Sequence, residues 1–366
     1  MRIRSLFLEQ FRSYPAREFS FGDDDVHVFV GPNGAGKTNI VEAVSLLSLL
    51  KSCQRVEEHD IIAWGQDYYR VRGCVLDDNG QEKTLELVSQ IAPCKRKACY
   101  INDVKVGVGD MVGVLPTVTF LPQDLELFTG SPANRRSFLD RLLCQVSPTF
   151  LRTLMEYQQV LKQRNALLRK IRDGVCRRTD LAVWDEKAAE TGTVVMLRRL
   201  ELSKVLQCTL GAELRELGEL WPDVSIVYER KGNACDFDGA KTEFLDLLSH
   251  FQERDIVLAS TTIGPHRDDW KIFVEGRDIA TFASRGQQRT AVLALLFLEV
   301  SYLELQRGEK PVILLDDVFS ELDDNHQTSL LQSLNGHQVL ITATHVPVEL
   351  SGARVWEMER KTSVTS

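Results

Sequence analysis

The sequence predicts an α/β protein whose strand-rich portion is divided in two by a long helical insertion. Three observations lead there. A glycine-rich loop, "GPNGAGKT", stands between the apolar run "VHVFV" and the helix-like "NIVEAVSLLSLL". A second apolar run, "PVILLDD", ends in two acids, Asp316 and Asp317. Between them, from about residue 131 to 218, apolar residues take up helical spacing. The expected division is 1–121 for the first half of the α/β part, 122–222 for the helical segment and 223–366 for the second half.

The first half reads as strands. "IRSLFLEQF", "VHVFV", "YRVRGCVL", "KTLELVSQI", "KACYIND" and "PTVTFL" are short apolar or alternating runs, separated by turn residues such as "DDNG", and residues 36–50 form the helix after the glycine-rich loop. Around "FLPQDLELFTGSP" the pattern changes. Leu154, Leu161 and Leu168 recur seven apart, with Val160, Leu167 and Ile171 on the same face, and Gly174 with "CRRTD" marks the turn of an antiparallel helix pair. A packed subdomain and a short projecting arm both fit this pattern. After Trp221 and Pro222, strands return as "VSIVYER" and "DDWKIFVEG". A helix, "QQRTAVLALLFLEVSYLEL", leads to the buried strand "PVILLDD" and a last strand, "QVLITATH".

Composition bounds the function. At 366 residues with 43% hydrophobic and 26% charged residues, the chain is long enough for two or three domains. The N-terminal "MRIRSLFLEQF" lacks signal-peptide organisation and no apolar run spans a bilayer, so a cytoplasmic protein with no membrane partner is expected. Eight cysteines without a C-x-x-C pair point to reduced thiols. The net charge of -8 opposes a globally basic nucleic-acid binder, yet Lys162, Arg164, Arg169, Lys170, Arg172, Arg177 and Arg178 face one acid, Asp173. That run is either a solvated helix face or a phosphate-contacting patch.

The chemistry begins at the loop. Gly31, Pro32, Asn33, Gly34, Ala35, Gly36, Lys37 and Thr38 fit G-x-x-x-x-G-K-[ST], in which glycines let backbone N–H groups approach phosphate at a helix N-terminus. Lys37 then supplies charge to the β/γ oxygens and the Thr38 hydroxyl can ligate Mg2+. An apolar strand ending in acids suits a metal-directed Asp316, with Asp317 placed to orient or deprotonate water. Ser284 and Gly286 open a further helix in "SRGQQRTAVLALLFL". A second anion-binding helix end in a chain that already has a phosphate loop is explained by a two-fold dimer, in which each chain closes the other's nucleotide.

These motifs together resemble a known family. "GPNGAGKT", "LPQD" with Gln123, "SRGQQ", "ILLDD" and "SELD" occur in the order of ABC-type ATPase heads, the group that includes SMC and Rad50 proteins. "FRSY", "SPANRRSFLD", "LKQRNALL", "GPHRDD", "SRGQQRT" and "LLDDVFSELD" narrow the resemblance to the RecF family of bacterial DNA replication and repair proteins, essentially end to end. The resemblance implies an ABC-type head split around a helical arm subdomain, a weak DNA-dependent ATPase using ATP and Mg2+, and an ATP-dependent homodimer that binds single-stranded, gapped or duplex DNA. RecF-type proteins act at single-strand gaps with RecO and RecR to promote RecA loading. By motif, Gln123 senses metal or water, and Ser284, Arg285, Gly286 and Gln287 act across the dimer. Asp323 lies near the seam, Arg12 of "FRSY" reaches the nucleotide, and His345 takes the place of a γ-phosphate sensor. Asp317 stands where many transporter heads carry glutamate; one methylene shorter, it implies slow turnover. DNA contacts are assigned to Arg135, Arg136, Lys162, Arg164, Arg169, Lys170 and Arg172, with Arg135 and Arg136 equally able to serve structure or the dimer contact. The alternatives are another SMC/Rad50-like ATPase or a transporter-type nucleotide-binding subunit. A helicase would need further motor motifs.

Overall fold

The computed structural model describes residues 1–54, 56–346, 350 and 352–359. The chain folds as two compact units, one built from Met1–Glu126 with Arg289–Ser366 and the other from Leu127–Gln288.

The first unit contains two sheets. A parallel sheet has the order Arg354–Glu357, Val26–Val30, Val339–Ala343, Val312–Asp316, Thr117–Phe120. Its central strands are buried along their whole length, which is why they read as unbroken apolar runs. The antiparallel sheet has the order Tyr14–Ser20, Arg2–Phe11, Tyr68–Leu76, Glu82–Gln90, Arg96–Ile101, Val104–Val106. Here buried positions alternate with partly exposed ones, as closer burial of one face requires. The helix Lys37–Leu49 touches strands of both sheets, so Ile40, Val41, Ala43, Val44, Leu46 and Leu47 are buried around its whole circumference.

Three strands of the first unit go beyond the expected set. Tyr14–Ser20 buries only Tyr14 and Phe19 and carries Pro15, a residue that an edge strand tolerates. Val104–Val106 closes a hairpin with Arg96–Ile101. Arg354–Glu357 adds a parallel edge against Val26–Val30, so Val339–Ala343 is not the last strand of the chain.

The second unit packs Pro132–Val146, Pro148–Arg172 and Ala182–Glu216 with the shorter helices Phe237–His250 and Gln252–Leu258. A three-stranded antiparallel sheet, Arg277–Asp278, Asp269–Val274 and Val224–Glu229, completes it. The expected boundary at 222 is displaced. Strand Val224–Glu229 belongs to the helical unit because the Gln207 amide on Ala182–Glu216 donates to the Val224 carbonyl at 2.7 Å and accepts from the Ile226 N–H. The unit therefore continues to Gln288, and the chain re-enters the first unit within helix Arg285–Arg307.

Buried ion pairs tie this unit together and correct two assignments. Arg164 is fully buried, pairing with Asp185 at 2.6 Å and with Asp255 at 2.7 Å, and it donates to Thr261 at 2.8 Å. Arg135 holds Asp269 through two nitrogens at 2.7 Å each and donates to the carbonyls of Leu127, Phe128 and Gly130. Neither side chain is placed to meet DNA phosphate. Arg136 is half-buried and donates to the Asp268 carbonyl at 2.7 Å. The "GPHRDD" stretch serves the same framework: Arg199, paired with Asp140 at 2.7 Å, donates to the Pro265 carbonyl at 2.6 Å, and His266 meets the Tyr157 hydroxyl at 2.7 Å.

Removing one partner of such a pair strands the other. Arg164→Ala should destabilise the second unit by about 3–5 kcal/mol, the usual cost of an uncompensated buried charge. Urea denaturation followed by circular dichroism checks it, and loss of less than about 1 kcal/mol, the range of exposed pairs, would show that the pair is solvated.

Candidate nucleotide site

Strand Val26–Val30 delivers residues 31–36 to the start of helix Lys37–Leu49. Gly34 and Gly36 adopt positive φ, 84° and 92°. At Gly36 space also forbids a side chain, since a Cβ would lie 2.9 Å from both Ser13 Oγ and Tyr14 Oη. The Tyr14 hydroxyl donates to the Gly36 carbonyl at 3.0 Å, and Asn39 Nδ2 donates to Ser13 Oγ at 3.0 Å, so the "FRSY" turn braces the loop. Pro32, Asn33 and Gly34 remain exposed, whereas Ala35 is buried. Lys37 folds back across the loop, its ammonium donating to the Gly31 carbonyl at 2.7 Å and the Pro32 carbonyl at 3.1 Å.

The acids arrive from the other end of the chain. Thr38 Oγ1 donates to Asp316 Oδ1 at 2.8 Å, and Thr342 Oγ1 donates to the same oxygen at 2.6 Å. Thr342 was not singled out from sequence. Its signal is register, since it sits opposite Asp316 at the end of the neighbouring parallel strand. Thr38 and Asp316 offer oxygen donors of the kind that would hold Mg2+, a hard cation that takes oxygen ligands.

Asp317 turns out of the strand with φ 51°, a left-handed geometry that aspartate tolerates. Its N–H is fixed by the Thr342 carbonyl at 3.1 Å and hydroxyl at 3.0 Å. Burial, then the neighbouring Asp316 charge, raise its carboxyl above the ordinary aspartate range, and Lys37 partly offsets them. Gln123 lies in the turn Pro122–Glu126, where its Nε2 donates to the Cys53 carbonyl at 3.3 Å. His345 is exposed beyond strand Val339–Ala343.

Arg12, expected to reach the nucleotide, is held within this chain by Glu42 and Asp60. Its Nε and Nη2 grip the buried Glu42 carboxylate at 2.7 Å each, and Nη1 donates to the Asp60 carbonyl at 2.7 Å. Its guanidinium is engaged within the protein, which raises its pKa through the Glu42 hydrogen bonds.

In the second unit, Ser284 and Gln287 form a reciprocal cap: Ser284 N–H donates to Gln287 Oε1 at 3.0 Å and Gln287 N–H to Ser284 Oγ at 3.2 Å. Ser284, Arg285 and Gly286 are exposed. A Cβ at Gly286 would meet nothing nearer than Ser284 Oγ at 3.9 Å, so this chain's own packing does not require glycine there. Beside it, Gln287 Nε2 donates to Glu219 at 3.3 Å, Trp221 and Phe282 place their rings 6.5 Å apart, and Leu220 is exposed. In the first unit, Asp323 caps helix Asp324–Ser333 through the His326 N–H at 3.0 Å.

Comparison with known proteins follows this geometry. The model of the RecF/RecN/SMC N-terminal domain matches residues 2–363. A DNA replication and repair protein RecF from Bacillus pumilus (strain SAFR-032) is 38% identical over 355 residues, covering 94% of each chain. The chain belongs to the RecF family. A second RecF relative, from Bacillus thuringiensis (strain Al Hakam), is 34% identical over 351 residues, covering 94% of this chain and 92% of its own. Among solved structures, the recombination mediator RecF-ATPrS of the RecFOR pathway superposes with a TM-score of 0.91 at 30% identity, over 98% of this chain and 96% of that one. The RecF-ATP form gives 0.89 at 30% identity, over 98% and 95%. An SMC head bound to the C-winged helix domain of ScpA gives 0.50 at 14% identity, over 94% of this chain and 90% of that one, a likeness of fold. The fold is thus the ATPase-head fold shared by RecF and SMC proteins. Among the described residues no helix is long and apolar enough to cross a membrane.

The Asp317 environment makes a titration prediction. Its carboxyl should titrate above about 3.9, the free aspartate value, and Lys37→Ala should raise it further by removing the charge that favours the carboxylate. Carbon-13 NMR of labelled aspartates checks both, and an unchanged or lowered value in the variant would contradict the arrangement.

Proposed function

We propose that the protein is an ATP-dependent DNA-binding protein of recombinational repair and replication restart, acting at single-strand gaps with RecO and RecR to promote RecA loading. The observation that carries this is the Thr38–Asp316 oxygen pair, which joins a complete phosphate loop to a metal-directed acid with Asp317 beside it. Family membership and the naming of RecF relatives in a RecFOR pathway support the pathway assignment.

In this reading, residues 31–38 hold the triphosphate through backbone N–H groups and Lys37, while Thr38 and Asp316 hold magnesium, which would neutralise charge on the β- and γ-oxygens. Asp317 and Gln123 align water on the γ-phosphate. The short Asp317 side chain leaves alignment imperfect, consistent with weak ATPase activity. Ser284, Arg285, Gly286 and Gln287 close over the nucleotide of a second copy. The exposure of that helix start, the room at Gly286 and the apolar Leu220, Trp221 and Phe282 beside it support a partner there. Hydrolysis removes the bridge and relaxes the dimer.

Two outcomes follow. Ser284→Arg should retain nucleotide binding by the isolated chain but abolish ATP-dependent dimerisation, whereas Lys37→Ala should lose nucleotide itself; sedimentation velocity with and without ATP decides, and an unchanged Ser284→Arg dimer refutes the shared site. The exposed Lys162, Arg169, Lys170 and Arg172 remain the DNA candidates on the helical unit. Charge reversal of Arg169 and Lys170 should weaken binding to every DNA sequence alike and lower the slope of log affinity against log salt by roughly 0.9 per lost duplex phosphate contact. An unaltered slope in fluorescence anisotropy would return that face to ordinary solvated surface.

A further inference from the structure

Residues 52–54 belong to none of the motifs above, yet they connect the separate parts of the candidate site. Ser52 Oγ donates to the buried Glu42 carboxylate, the same group that Arg12 grips with two nitrogens. The Ser52 oxygen also accepts the Gln54 N–H at 3.0 Å. From there the Gln54 amide reaches Asp316 Oδ2 at 3.4 Å, while the intervening Cys53 carbonyl accepts Gln123 Nε2 at 3.3 Å. A hydrogen-bonded line therefore runs Arg12, Glu42, Ser52, Gln54, Asp316, with Gln123 attached at its middle.

The two Asp316 oxygens have different partners. Oδ1 takes the hydroxyls of Thr38 and Thr342, both supplied by the sheet and its first helix. Oδ2 takes Gln54, supplied by the segment after that helix. The far end of the line is anchored, because Glu42 is fully buried and Ser52 nearly so. A buried carboxylate cannot exchange its donors for water without a large desolvation cost.

We propose that Ser52 and Gln54 form a positioning strap that orients the Asp316 carboxylate and the Gln123 amide for the magnesium–nucleotide complex. The proposal rests on the reading of Thr38 and Asp316 as the metal side of the site. Neither Ser52 nor Gln54 need touch nucleotide. They act through Asp316, as residues that orient metal ligands do.

The test uses the full chain and a fluorescent ATP analogue, with affinity measured once in magnesium and once in excess EDTA. The quantity of interest is the ratio of the two, the gain that magnesium confers. Gln54→Ala should leave the EDTA affinity within about twofold and reduce the magnesium-linked gain about tenfold, the lower end of the effect of losing a group that orients a metal ligand. Gln54→Leu, similar in size but without an amide to donate to Asp316, should do the same. Ser52→Ala should also reduce it, and Ser52→Thr, which keeps the hydroxyl, should restore it. A strap that merely shaped the loop would lower both affinities together. Lys37→Ala separates the two claims: if it leaves affinity intact in both conditions, the phosphate-site reading fails. If it abolishes binding while Gln54→Ala and Gln54→Leu keep the full magnesium gain, the strap is overturned and the site stands.

Discussion

Two oxygens 2.8 Å apart, Thr38 Oγ1 and Asp316 Oδ1, are separated by 278 positions in the chain. The structure between them is arranged so that they meet. Strands Val26–Val30 and Val312–Asp316 are not neighbours; Val339–Ala343 lies between them and supplies the second hydroxyl on the same Asp316 oxygen. All three run parallel, so the phosphate loop and the acids emerge at one edge of the sheet. A buried carboxylate in that position is tolerable because donors compensate its lost hydration.

The second unit solves a different problem, that of holding long helices and a small sheet together. It does so with guanidinium groups taken out of water, Arg135, Arg164 and Arg199, each held by one or two aspartates. Buried pairs of this kind contribute little net stability but penalise any arrangement that leaves one charge unpaired. They also sort the basic residues. Those on the apolar stripe are structural, and those opposite it are available to a polyanion.

That sorting was legible in the sequence. Arg164 stands between Leu161 and Leu168 at intervals of three and four, on the stripe that packs inward. Arg135 likewise leads Phe138, Leu139 and Leu142. Counting charges in the run hid what helical phase would have shown. The phosphate loop, the acidic strand and the six strands of the first half were readable because each is a periodic or glycine-fixed local pattern. Strands Tyr14–Ser20 and Arg354–Glu357 were not, since edge strands bury too few residues to leave a period. The place of Val224–Glu229 depended on a tertiary contact from Gln207, and the roles of Ser52 and Gln54 on neighbours remote in sequence, which no local pattern records.

Nucleotide held at this oxygen pair should govern engagement with DNA. The most direct measurement is the affinity for gapped, duplex and single-stranded DNA with and without ATP, at two salt concentrations. ATP should tighten binding, the effect should steepen with protein concentration as a pair of chains assembles, and added salt should weaken it. Equal affinity in the presence and absence of ATP for all three DNA forms would contradict it.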